Sequence, residues 1–388
     1  MQSNRLNKDK FIVFSITLGL LFLSYFQFVF GIRYRLFKEE YSSTQIYFFI
    51  IVFALFLFFG LFHKQKNVSF LLWILGGYLV FVFIVSKPIG LSIFVSSLFL
   101  VFWVFCFSFG NRLSNTSKEL SSYFIKMVNL IIILPLLLFS LFTFFTTEEL
   151  RINQLSTDAF FSIVVYLPFV LMMEEKKALK TILYVLIVVA TIVSMKRSLI
   201  IGVVACSLIY LMLSEHKKVL FKWYYWILLA GIVFMGNYLY NIVSETLFYR
   251  FAQLEVDGGT GRDIIYERIL YAFQQSSLSS QLFGHGYQSV KLIIGKAAHN
   301  DFLQLLYDCG VIGAGLYIAF LLSMIVFAFR KYRKRKSNKT LYATFVSALL
   351  LYIVLASMNC FIYTPLLIAP LMLSLGLSSG LLKNNSDS

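Results

Sequence analysis

Apolar residues in this chain come in long unbroken blocks rather than in alternation, and charged or turn-forming residues are confined to the gaps between them. The blocks fall at roughly 11–30, 46–62, 68–85, 89–109, 124–145, 159–173, 178–195, 198–213, 223–242, 302–329, 341–358 and 364–382. Uninterrupted runs of this length have no period-2 pattern, and in lipid a segment must close its own backbone hydrogen bonds, so each is expected to be a membrane-spanning helix. The predicted fold class is therefore all-α, a polytopic integral membrane protein of about 12 transmembrane helices. The runs at 159–173 and 198–213 are short, and almost nothing joins the pair flanking Met195 to Ser198, so the count could be 10 or 11.

One interval breaks the rhythm. Between the ninth and tenth runs lie about 55 residues, Val243 to Ala298, without a span. Loops longer than about 15 residues are commonly functional or disordered, and Tyr249, Phe251, Ile264, Ile265, Ile269, Leu270 and Phe273 give this one apolar material to pack. Asp263 to Gln274 has the spacing of a short amphipathic helix lying on the membrane. The expected organisation is one transmembrane domain over 1–388, with 243–298 an extracytoplasmic loop that contains short helices.

Composition agrees with the pattern. Of 388 residues, 59% are apolar and 13% charged, where soluble domains run near 45–50% and about 25%; mean hydropathy is +0.81. These values exclude a soluble globular class. The net charge of +16, which in a soluble protein would suggest a nucleic-acid footprint, here reports topology, and no nucleic-acid partner is expected. With the N-terminus inside, 22 of the 34 Lys and Arg residues fall on the inner side, among them the run Arg330 to Lys336, so both termini should face the cytoplasm. The first apolar run is too long for a signal peptide and lacks a small-x-small cleavage site, so it is read as a retained helix. Cys106, Cys206, Cys309 and Cys360 show neither CxxC nor His at ligand spacing, so no zinc site or disulfide framework is expected.

The residues that could carry chemistry collect at the outer side. Within the long loop, Arg250, Arg262, Arg268, Lys291 and Lys296 balance Glu245, Glu255, Asp257, Asp263 and Glu267. An anion would therefore be held by individual arginines, whose planar fork suits phosphate, or those arginines simply pair with neighbouring acids. After a turn-prone Gly284-His285-Gly286-Tyr287 comes Ala298-His299-Asn300-Asp301 at the start of the tenth run. Asn300 or Asp301 can cap that helix. Asn300, Gln304 and Asp308 recur every four residues as a polar stripe running into the membrane, and an ionisable residue at that depth marks a functional or packing site. His299 could be a general base toward a sugar hydroxyl, or a structural imidazole. Lys196-Arg197 sits between two runs on the predicted outer side, where snorkelling to headgroups is the ordinary alternative. There is no GxxxxGK[ST] phosphate loop, no outer DxD pair and no cluster with metal-ligand spacing, so no metal and no cofactor are expected.

Taken together, Met195-Lys196-Arg197-Ser198, Gly261-Arg262, Gly284 with Gly286, His299-Asn300, Leu303 and Gly310-Val311-Ile312-Gly313 resemble the O-antigen ligase and Wzy polymerase superfamily. The motif block spans about 250–317, with Arg197 an outlying match; Lys196 departs from the family, which commonly has Ser before the Arg. The resemblance implies a glycosyltransferase in which Arg197 and Arg262 hold the diphosphate of an undecaprenyl-linked oligosaccharide and His299 lies beside the reacting hydroxyl. Arg250, Arg268, Lys196, Asn300 and Asp308 are further candidates for substrate binding. Its implied setting is the outer face of a bacterial cytoplasmic membrane, with membrane lipid as solvent and flippase and chain-length regulator proteins as partners. A polymerase of capsular, exopolysaccharide or O-antigen repeat units is the leading expectation. A ligase acting on another acceptor is the near alternative, and a polysaccharide or lipid flippase or other transporter the distant one. Transporter folds are commonly built from related halves, and no internal repeat is visible in this chain.

Overall fold

A computed structural model of the chain describes residues 9–21, 70–86, 91–138, 162–174, 177–193, 197–214, 262–332 and 338–384, with side chains throughout except at 91–100, 192, 193, 197, 365 and 366. The predicted runs at 46–62 and 223–242 lie outside these residues. Among the described residues all regular structure is helical: α1 (9–21), α2 (Phe70–Ser86), α3 (Leu91–Thr116), α4 (Lys118–Leu138), α5 (Leu167–Leu171), α6 (Lys177–Val193), α7 (Arg197–Leu213), three short helices α8 (Arg262–Gln274), α9 (Leu278–Phe283) and α10 (Ser289–Ile294), then α11 (Asp301–Tyr332), α12 (Lys339–Met358) and α13 (Pro365–Asn384). Four stretches among them, Lys118–Leu138, Asp301–Tyr332, Lys339–Met358 and Leu367–Asn384, are long and apolar enough to cross a membrane. Phe70–Ser86, Ser162–Leu171 and Ser198–Leu213 are shorter apolar helices.

Backbone proximity organises the bundle. Helices α3 and α13 run parallel in the closest contact, because small residues let their backbones meet. A Cβ at Gly110 would strike the Leu373 backbone, one at Gly376 the Phe107 carbonyl, and one at Gly380 the Ser114 hydroxyl. Where they end, Asn384 Nδ2 donates to Ser114 O at 2.8 Å. Helices α7 and α12 run antiparallel, with Gly202 against Leu351 and Leu355. Trp103 and Phe107 of α3 meet Phe320 of α11 with centroids 6.3 and 6.2 Å apart.

Three helices depart from regularity where the sequence predicted continuous spans, two of them, α5 and α4, within the bundle itself and the third, α11, at Gly310. In the 159–173 run, Pro168 follows Tyr166 and Leu167 at the start of α5, which has five residues. Proline lacks the amide that a helix interior needs and disfavours helical geometry in the residue before it. The interrupted segment Ser162–Leu171 would reach only about 15 Å at 1.5 Å per residue, against roughly 30 Å of hydrocarbon. Helix α4 carries a π turn at Val128–Ile133, where Asn129 Nδ2 donates to Ile125 O at 2.8 Å and to Phe169 O at 3.0 Å, fastening α4 to α5.

The helices define two ends. At one, Lys10 pairs with Glu119 at 2.7 Å, Lys118, Arg330, Lys331, Lys339 and Lys383 sit at helix termini, and Arg112 and Lys126 lie one to two turns in from the ends of α3 and α4. At the other lie Ser86, the α8–α10 segment, the start of α11 and the α12–α13 connection.

Candidate active site

The site is built on the beginning of α11. Asn300 caps it: Oδ1 accepts from the amides of Phe302 (2.9 Å) and Leu303 (3.1 Å), while Nδ2 donates to Ser357 O at 3.0 Å. An Asn at this position is favoured because its side chain replaces the missing intrahelical acceptor. His299, one residue earlier, has φ +53°. This left-handed geometry is uncommon outside glycine, although His is among the residues that tolerate it best, and such backbones cluster where function demands a fixed direction. Asp301 turns inward: it is fully buried, accepting from Ile362 N at 3.1 Å and from Tyr317 Oη at 3.3 Å, with Tyr317 in turn 2.8 Å from Tyr352 Oη.

Nine residues on, α11 breaks. Gly310 has φ +69° and ψ −175°, a region open essentially to glycine alone. The break frees the carbonyls of the preceding turn, and each finds a donor outside the helix. His285 N donates to Tyr307 O at 3.0 Å, Gly286 N to Asp308 O at 2.9 Å, and Tyr78 Oη of α2 to Cys309 O at 2.9 Å. Non-helical backbone at membrane depth is tolerated only when packed protein satisfies it in this way. The Gly284-x-Gly286 turn is what allows the approach: a Cβ at Gly284 would meet the Asp308 carbonyl, and one at Gly310 the Leu282 carbonyl. The predicted 302–329 span is thus a short helix, 301–309, followed by the long helix 311–332.

The polar stripe lies on the short helix before the break, and its partners are internal. Both oxygens of buried Asp308 are occupied: Oδ1 accepts from Ser289 Oγ (2.8 Å) and Val290 N (3.0 Å), Oδ2 from Gln304 Nε2 (2.6 Å) and Gln288 N (3.0 Å). The carboxylate therefore caps α10, satisfying its first amides. Gln304 Oε1 accepts from Ala298 N at 2.9 Å and from Cys360 Sγ at 3.4 Å. Burial, with Asp301 nearby, pushes the Cys360 thiol up to about 12, so it stays protonated at neutral pH. His285 is fixed too, its ring stacked on Tyr307 at 4.1 Å with Nδ1 3.2 Å from Tyr307 O and Nε2 2.8 Å from Ser276 Oγ.

Over this frame lies α8, matching the amphipathic helix expected from the loop. Ile265 and Ile269 bury against Val290, Ala298 and Tyr307. Tyr266 donates to His299 O in a long 3.5 Å contact. Arg262 stands one turn before Tyr266 on the same flank, since residues four apart are neighbours on a helix. Arg268 lies on the opposite flank and is exposed. Among the described residues neither arginine has an ion-pair partner.

The backbone of Arg197 begins α7, and the antiparallel contact of Gly202 with Leu351 and Leu355 puts this terminus at the end of α12 where Ser357 holds Asn300. The starts of α7, α8 and α11 thus share one end of the bundle. Arg250 and Lys196 lie outside the described residues. Sequence reasoning found the stripe and offered Asn300 or Asp301 as the cap, a role that falls to Asn300 while Asp301 is buried; it missed His285, Tyr266 and Ser289 as parts of this frame. The Gly-x-Gly turn next to a titratable ring was the available signal.

Residues 182–318 match the family model described as O-Antigen ligase, a segment running from within α6 to just past the Gly310 break. It includes Arg197, Arg262 and His299, and the resemblance read from the residues holds over this segment at the level of the O-antigen ligase and Wzy-type superfamily. No curated protein matches the chain.

Proposed function

We propose that the protein transfers an oligosaccharide from a polyprenyl diphosphate to a hydroxyl acceptor at this end of the bundle, which faces the outside of the bacterial cytoplasmic membrane. The charge bias supports that orientation: cations crowd the opposite end, as the positive-inside rule requires of a cytoplasmic face, and both termini would lie there. In the reaction, the acceptor hydroxyl attacks the anomeric carbon while the C–O bond to the diphosphate breaks. The hydroxyl proton passes to the imidazole of His299, and the negative charge leaves with the carrier. Arg262 and Arg197 stabilise that charge, with Arg250, Arg268 and Lys196 around the mouth as supporting cations. Fixed donors in a water-poor site are worth about 3–4 kcal/mol each. Asn300 and Asp308 act from within, orienting the start of α11, since their polar atoms have protein partners.

The observation that carries this reading is that the starts of α7, α8 and α11, bearing Arg197, Arg262 and His299, share one end within the segment that matches the ligase family. A polymerase acting on undecaprenyl-diphosphate-linked repeat units of a capsule, exopolysaccharide or O-antigen is favoured over a ligase. The Phe-, Ile- and Tyr-rich composition suits an AT-rich genome, of the kind found among organisms without lipid A. Flippase and chain-length regulator proteins would then be neighbours. A transporter is disfavoured because the candidate chemistry gathers at one mouth.

The test is reconstitution of the purified chain in proteoliposomes with an undecaprenyl-diphosphate repeat unit. A glycan ladder should appear and survive chelation of divalent ions by EDTA. His299→Ala and Arg262→Ala should each slow it by about 10²–10³ fold at unchanged protein level. Lipid carried across the bilayer without any lengthening of the glycan would overturn the enzymatic reading.

A further inference from the structure

The other end of the bundle holds a cavity of about 550 Å³ between α1, α4, the α5–α6 connection, α12 and α13. Its lining is mixed. Leu130, Leu179, Leu341 and Leu381 make an apolar surface, while Lys10, Lys118, Lys126, Glu119 and Glu174 supply charge at the same cavity.

These charges do not cancel locally. Lys10 is spent on Glu119 at 2.7 Å, and Glu174 lies within electrostatic reach of Lys180. Lys118 and Lys126 remain, with no carboxylate partner among the described residues. They stand eight residues apart on α4 with Ser122 midway, so the three form one stripe along the helix, and all three line the cavity. Asn338, the cap of α12, lines it too.

We infer that this cavity is a binding site for an anionic phospholipid, with its phosphodiester between Lys118 and Lys126 and an acyl chain along the leucine wall. The chemistry asks for an amphiphile. A free phosphate would satisfy the lysines and leave the apolar wall in water; a zwitterionic lipid would bring its own cation against two ammonium groups. The helix end belongs to the side read as cytoplasmic, where anionic headgroups attract basic residues with about 1 kcal/mol each. The site is independent of the glycan-transfer reading.

The test uses the full-length protein in detergent, titrated with phosphatidylglycerol, phosphatidylcholine or inorganic phosphate and read by native mass spectrometry. Phosphatidylglycerol should bind and the other two should not compete with it. Lys118→Gln/Lys126→Gln should weaken binding about thirtyfold, whereas Arg330→Gln/Lys331→Gln, cations at the same end outside the cavity, should leave it unchanged. Ser122→Trp, which fills the cavity between the lysines without altering charge, should abolish it. Equal binding by both lipids, equal loss in both double variants, retention in Ser122→Trp, or displacement of the lipid by phosphate would each overturn the assignment.

Discussion

At Gly310 a single hydrogen in place of a side chain decides whether the mouth of the candidate site can form. Its φ of +69° with ψ near 180° costs other residues about 1–3 kcal/mol, and a Cβ there collides with the Leu282 carbonyl. Gly310→Ala should therefore lower the thermal midpoint of the purified protein and abolish activity together. Gly315→Ala on the same helix, where a Cβ meets nothing within 4 Å, should leave both unchanged. Cys360 makes a second case. With its thiol raised to about 12 by burial it is a packing and hydrogen-bonding group, not a nucleophile. Cys360→Ser should retain glycan transfer, and maleimide labelling of Cys360 near pH 8 should be far slower than that of an exposed cysteine, whose pKa near 8.5 leaves substantial thiolate. Labelling at the rate of a surface thiol would refute this.

On the scale of elements, Asp308 ties α10 and the Gly-x-Gly turn to the short outer part of α11. Removing it strands buried donors from Ser289, Val290 and Gln304 and the half-exposed amide of Gln288, and one uncompensated buried partner already costs about 1–3 kcal/mol. Asp308→Ala should speed hydrogen exchange across residues 286–294 while the α3–α13 pair stays protected, and exchange unchanged at 286–294 would contradict the role given to the carboxylate. Part of this arrangement was legible in the sequence. The fourfold spacing of Asn300, Gln304 and Asp308 put them on one face, and the apolar positions of 263–274 gave α8. What those side chains bind was not legible, because Ser86, Tyr78, Ser357 and Ile362 lie 57 to 231 residues away from their partners in the chain. The break at Gly310 escaped for a related reason. Its flanks are as apolar as any span, and only the donors at His285, Gly286 and Tyr78 make a broken helix affordable.

Over the whole molecule, alternating helix direction and the uneven spread of cations tell one story. Spans read from hydropathy correspond to helices wherever the described residues overlap them, except that the 159–173 run is broken ahead of Pro168 and the 302–329 run at Gly310. The parallel contact of α3 with α13, built on Gly110, Gly376 and Gly380, could not be read from hydropathy, which is blind to how closely two equally greasy helices approach.

In the proposed mechanism Arg197 and His299 flank one mouth, although a hundred residues of chain separate them. Spin labels introduced at these two positions in the reconstituted protein measure this directly. The account predicts a distance well below the roughly 30 Å of the hydrocarbon core; a distance at or above that thickness, placing the two at opposite faces of the membrane, would contradict it.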